Sequence, residues 1–178
     1  MAEEEKVITI TTDFFALIPI QRMVNKVVNK RLAVNDMDLP EPIEYLLAMQ
    51  VEFFEFLNEL GTWKWWKQSQ ELNKEKILDE LADVIAFFLS TQISVGNTAA
   101  TMDDVMDEIF ADLYKYSAKD IIMNVTASIQ DGLPQPSLIL MGIAILLAHK
   151  TVDATWEEIS EAYEKKSQIN IDRQNENY

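Results

Sequence analysis

The chain has 178 residues, of which 48% are hydrophobic, no cysteine, and a net charge of −15. That much apolar chain is enough for one domain with a real core and argues against disorder. The negative charge disfavours broad contact with nucleic-acid phosphates or anionic membranes, and the missing thiols exclude disulfides, iron–sulfur clusters and thiolate zinc sites.

Only four glycines and five prolines interrupt long periodic stretches. The fold class expected is therefore all-α: a helical bundle forming a single domain over 1–178, with 1–11 an extended lead and 175–178 a frayed tail. A first helix starts near Thr12 or Asp13, both good N-caps, and Pro19 kinks it or marks a first short turn. AVNDMDLPEP reads as a loop, and Pro42 opens a second helix running from about Ile43 to Glu59 or Leu60, with Gly61 as the stop. GTWKWWKQSQELNKE follows as a loop or broken helix, and a third helix covers roughly Lys76 to Ser94. Gly96 to Thr101 is a break, with Thr101 as N-cap of the next helix. A helix around Ala118 to Ser128 leads to the loop QDGLPQP, after which Ser137 caps an apolar helix ending near Lys150. Thr155, with Glu158 three residues on, is a capping box that opens the last helix. The first residues lack the pattern of a secretory signal, and the apolar run Leu138 to Ala148 falls short of the ~20 residues that cross a bilayer, so a cytoplasmic protein is expected.

Two carboxylate pairs carry most of the chemical information. Glu52 and Glu55 form an ExxE step, and Glu80 and Asp83 an ExxD step. Residues three apart share a helix face, so each pair projects from one surface, and each sits among large apolar residues. If the two helices pack antiparallel, four carboxylates converge. At low dielectric such a group repels itself strongly and would take up protons unless a cation neutralised it. A solvated acidic face is the plain alternative. A di-iron carboxylate bundle needs Glu-x-x-His steps, and the single histidine, His149, has Leu146 three residues before it. His149 reads as a packed or surface histidine. Oxygen-only ligands point to Mg²⁺, with Mn²⁺ as a substitute, and to hydrolysis of a phosphate ester or anhydride.

Trp63, Trp65 and Trp66, interleaved with Lys64 and Lys67, read equally as caps on the core or as a platform for a base or sugar with a lysine for phosphate. Near the end, Lys166, Asn170 and Arg173 share a helical face. They either complement the helix dipole or form a phosphate clamp over the carboxylates.

These blocks resemble the all-α NTP pyrophosphatase superfamily, specifically its dimeric dUTPase family. EFFEFLNELGTWKWWK is similar to that family's ELxELxNE…FKxW block, through Glu52, Glu55, Asn58, Glu59, Lys64 and Trp66. Glu80 and Asp83 match its second acidic step. TWEEISEAYEKKSQINIDRQ resembles its closing TWDEIxxAYxKKNxxNxxRQ block. The resemblance implies a homodimer that hydrolyses dUTP to dUMP and pyrophosphate. Glu52, Glu55, Glu80 and Asp83 would hold Mg²⁺, and Glu55 with Glu52 would be catalytic, Glu55 orienting or deprotonating the water. Lys64, Lys166 and Arg173 would bind phosphates. Gln21, Asn25, Trp63, Trp66 and Asn170 would line the nucleoside pocket. Gly61, Trp63 and Ser167 depart from the usual arginine, phenylalanine and asparagine, which keeps dCTP or a broader range of nucleotides as the near alternative. A non-catalytic acidic protein that binds a basic partner is the alternative of another class.

Overall fold

The computed structural model describes residues 10–67, 71–131 and 135–176, and of 126–131 the backbone alone. Most of the expected lead, positions 132–134 of the QDGLPQP loop and the end of the expected tail lie outside the described residues. The described residues form seven helices and no strand: α1 (Phe14–Val34), α2 (Pro42–Leu60), α3 (Lys74–Val95), α4 (Ala99–Leu113), α5 (Ala118–Asp131), α6 (Pro136–Val152) and α7 (Trp156–Asn175). No single described helix is long and apolar enough to cross a membrane.

Local chemistry sets most helix ends. Asp13 caps α1 by accepting from the Phe15 amide. Pro19 sits inside one continuous helix, so it marks no separate first turn. Pro42 occupies the first turn of α2, and Gly61 ends it in the left-handed region at φ 59°. Thr155 and Glu158 make the full capping box of α7. Two expected caps are corrected. Thr98, not Thr101, caps α4: its hydroxyl accepts from the Thr101 amide, which places Thr101 inside the first turn. Ser137 does not cap α6 either. The helix begins at Pro136 behind Gln135, and the buried Ser137 hydroxyl instead accepts from Gln92 Nε2 at 2.8 Å.

α3 lies at the centre, packed against α1, α2, α6 and α7. α6 is the apolar floor. Nearly every residue from Ser137 to Ala148 is buried, and Gly142 lets α4 approach so closely that a Cβ there would stand 2.8 Å from Ile109. α1 and α7 run in one direction at a near-constant register, pairing Phe14 with Trp156, Gln21 with Tyr163 and Arg31 with Gln174. α3 and α7 are likewise parallel, since Lys74 meets Glu158 and Asp79 meets Lys166 further along both helices. This arrangement sets the polar faces of α1, α3 and α7 side by side.

Candidate active site

α2 and α3 pack along one another as a hairpin. Phe53, Phe56 and Leu57 of α2 and Leu81, Ala82, Val84 and Ile85 of α3 point into the core. Burying those faces holds the acidic steps at the margin of the core. Carboxylate oxygens of Glu52, Glu80 and Asp83 come within 4.8 Å of one another, and all three side chains are partly buried. Glu55 is exposed and stands outside this group, though its charge still acts on Glu52 and Glu80. Three of the four expected carboxylates therefore converge, with the fourth beside them.

Crowding and burial show in their acidities. Burial first, and then the charges of Asp83, Glu55 and Glu80, push the Glu52 carboxyl up to about 7. Burial and Asp83 raise Glu80. Burial also raises Asp83, against the opposing hydrogen bond from Lys166. A site that raises the pKa of all three carboxyls is short of positive charge. The donor set is oxygen only, partly open to water and short of cations. It fits a hard divalent ion such as Mg²⁺ or Mn²⁺, and no imidazole or thiolate in it would favour a softer one.

One internal cation is already there. Lys166 Nζ bonds Asp83 at 2.8 Å and Asp79 at 2.7 Å. Its side chain is 16% exposed, with Asp83 at 21% and Asp79 at 55%, so the Asp83 contact is the less screened of the two. Burial opposes the Lys166 charge, but the two carboxylates outweigh it and its pKa is raised. Of the expected cationic face, Lys166 thus lies on the acidic group. Arg173 is exposed, yet its charge lowers Asp83, and Asn170 is half-buried between the two in sequence.

Seven residues beyond Asp83, on the same face of α3, Ser90 joins a buried polar network. Gln21 Nε2 donates to Asn25 Oδ1 at 2.8 Å and to Ser90 Oγ at 3.0 Å. Ser90 donates to Asn25 Oδ1 at 2.9 Å, and the Tyr163 phenol donates to Gln21 Oε1 at 2.7 Å. Two helical turns along α3 set this network roughly 10 Å from the carboxylates. The expected nucleoside residues Gln21 and Asn25 of α1 therefore sit two turns of α3 beyond the acidic group.

The tryptophans resolve against the core-capping reading. Trp63, Trp65 and Trp66 are 43%, 85% and 55% exposed, stacked edge to face among themselves. Trp156, on α7, is the one that packs on the core, against Phe14. Trp63 is pinned by its Nε1–H donating to the Leu57 carbonyl, and Lys64 folds back to the Asn58 carbonyl at 2.8 Å. His149 is structural, its Nδ1 3.1 Å from the Ala154 carbonyl. Sequence reasoning passed over Asp79 and Ser90. Their only signal was position, Asp79 four residues before Asp83 and Ser90 seven after it, all on one face.

Taken as chemistry, these faces of α1, α2, α3 and α7 offer an acidic group for a divalent ion, cations beside it for anionic oxygens, and, two turns along α3, an amide network for a flat polar group. A family model described as dUTPase matches residues 13–178. No curated protein matches the chain.

Proposed function

The chain belongs to the all-α dUTPase family, and we propose that it hydrolyses dUTP to dUMP and pyrophosphate with Mg²⁺ at the α2–α3 carboxylates. The observation that carries this reading is the approach of Glu52, Glu80 and Asp83 to within 4.8 Å. These three would hold the ion, with Glu55 as the fourth acidic partner. When bound, Mg²⁺ supplies Lewis-acid stabilisation of charge on the phosphate chain.

The remaining roles belong to side chains. A water adds to phosphorus, the bridging P–O bond to the leaving pyrophosphate breaks, and the proton lost from water passes to a carboxylate. Glu55 is the acceptor we assign, because it is exposed at the edge of the group where water enters, with Glu52 assisting. Lys166 and Arg173, both on the α7 face toward Asp83, would take phosphate oxygens as they develop charge, and Lys64 would do so from the tryptophan loop. Gln21 and Asn25 would face the base, Asn170 the sugar, and Trp63 and Trp66 would supply an aromatic wall.

A second copy of the chain is the partner we assign to α2. Ile43, Leu47, Val51 and Phe54 form an exposed stripe along it, on the helix that carries Glu52, and a homodimer would cover it. The test of function is pyrophosphate release from dUTP, dCTP, dTTP, UTP and ATP, with Mg²⁺ and without it. Release from dUTP that requires the ion supports the reading. No turnover of any nucleotide with Mg²⁺ or Mn²⁺ would overturn it.

A further inference from the structure

The amide network two turns of α3 beyond the carboxylates can hold together in only two ways. In one, Tyr163 donates to Gln21 Oε1, Gln21 Nε2 donates to Asn25 and Ser90, and Asn25 receives both neighbours on Oδ1. Its amino group then faces outward. In the other, both amides are turned over, the direction of every bond is reversed, and Asn25 presents its carbonyl oxygen instead. A mixed arrangement would set donor against donor inside a buried site. Gln21 is 2% exposed and Tyr163 fully buried, so such a clash is costly.

The structure has the first polarity. Tyr163 supplies the reason. Its phenol proton goes to Gln21 Oε1 at 2.7 Å, and a phenol donates more readily than it accepts because its oxygen lone pair is delocalised into the ring. Donation to Gln21 is therefore the favoured course. Asn25 Nδ2 donates to no described residue, and Asn25 is only partly buried. One turn on, Asn29 Oδ1 is shielded from water with no partner. The α1 face thus offers an amino donor at Asn25, while the Asn29 oxygen is withdrawn from it.

We propose that Tyr163 is a positioning residue that sets the direction of the Gln21–Asn25–Ser90 network, turning the Asn25 amino group toward the base so that a pyrimidine carbonyl is accepted and an exocyclic amine refused. The inference rests on the nucleotide-hydrolysis reading given above. Uracil carries a carbonyl oxygen at position 4, which the Asn25 amino group can meet. Cytosine carries an amino group there, which sets donor against donor. Discrimination comes from leaving buried polar groups unpaired with the wrong base.

The experiment is kcat/KM for dUTP and dCTP with Mg²⁺, in the wild-type protein, Tyr163→Phe and Ser90→Ala, with melting curves for each. Tyr163→Phe keeps the ring in the core but leaves one end of Gln21 without a partner in either orientation, so neither direction is favoured. The dUTP-to-dCTP ratio should fall roughly tenfold, through KM rather than kcat. Ser90→Ala removes one lock on Asn25 and should lower the ratio by less. A lowered melting temperature with an unchanged ratio in both variants would make the network structural and overturn the inference. Wild-type preference for dCTP would overturn the assigned direction while leaving the hydrolytic reading intact. No hydrolysis of either nucleotide by the wild-type protein would remove that reading and the inference with it.

Discussion

Two helices run through the middle of the bundle, and they use their interior positions differently. α6 buries an almost unbroken apolar surface from Ser137 to Ala148 and packs on α2, α3, α4 and α5. α3 buries Ile77, Leu81, Val84, Ile85 and Phe88 on one side, yet carries Asp79, Glu80, Asp83 and Ser90 along the adjoining face. A helix apolar all round can only make core. A helix half in the core can hold carboxylates where burial perturbs them but ligands still reach them. α6 stabilises the bundle, and α3 keeps a strained charge group at its edge.

The largest effect should come from α3. Glu80→Gln is expected to cut Mg²⁺-dependent dUTP turnover about a thousandfold, while the melting temperature of the metal-free protein holds or rises, because a like charge leaves a crowded group. Steady-state rates beside a thermal melt decide it, and full turnover in the variant would break the division of labour between the helices. Leu146→Ala on α6 is the converse. Leu146 is fully buried, and its truncation should cost about 2–5 kcal/mol in urea unfolding without changing turnover per folded molecule. Gly142→Ala should be milder, about 1–3 kcal/mol, since the new methyl meets Ile109 at 2.8 Å and α4 must shift to admit it.

The smallest effect is a pH dependence peculiar to α3 and its neighbour α2. Folded Glu52 holds its proton up to about 7, against 4.5 ordinarily, so between those values the folded protein binds protons that the unfolded chain has released. Stability of the metal-free protein should therefore fall as pH rises from 4.5 to 7, with Glu80 and Asp83 adding in the same direction. Melting temperatures across that range check it. Saturating Mg²⁺ should flatten the slope at its upper end, because the ion binds the ionised group.

Much of this was readable along the chain because it is written in short spacings. The ExxE and ExxD steps, the Thr155–Glu158 box, and Gly61 after α2 each depend on residues a turn apart. What escaped depends on partners far away in sequence. Nothing near Ser137 says that Gln92 will take its hydroxyl out of the capping role. Thr98 and Thr101 are alike as local capping residues, and the backbone path out of Gly96 decides between them. Lys166 reads as a phosphate ligand, but its meeting with Asp79 and Asp83 required the parallel docking of α7 on α3. The tryptophan loop stayed ambiguous because size alone does not separate a core cap from an exposed platform, and Trp156 fills the core place instead.

The parallel register of α1 and α7 also bears on time. Gln21 and Tyr163 are separated by 142 residues, and Arg31 and Gln174 by 143. Contacts of such long span close late, since the loop entropy must be met before they repay it. During synthesis α1 emerges first and waits through five intervening helices with the buried face of Gln21 unmatched. The hairpin of α2 and α3, neighbours in sequence, needs no such wait. The acidic group is thus a local product of folding, and the amide network a global one. Loss of α7 from the finished protein would remove Lys166 and Tyr163 together, and with them the counter-charge of the acidic group and the bond direction of the amide network.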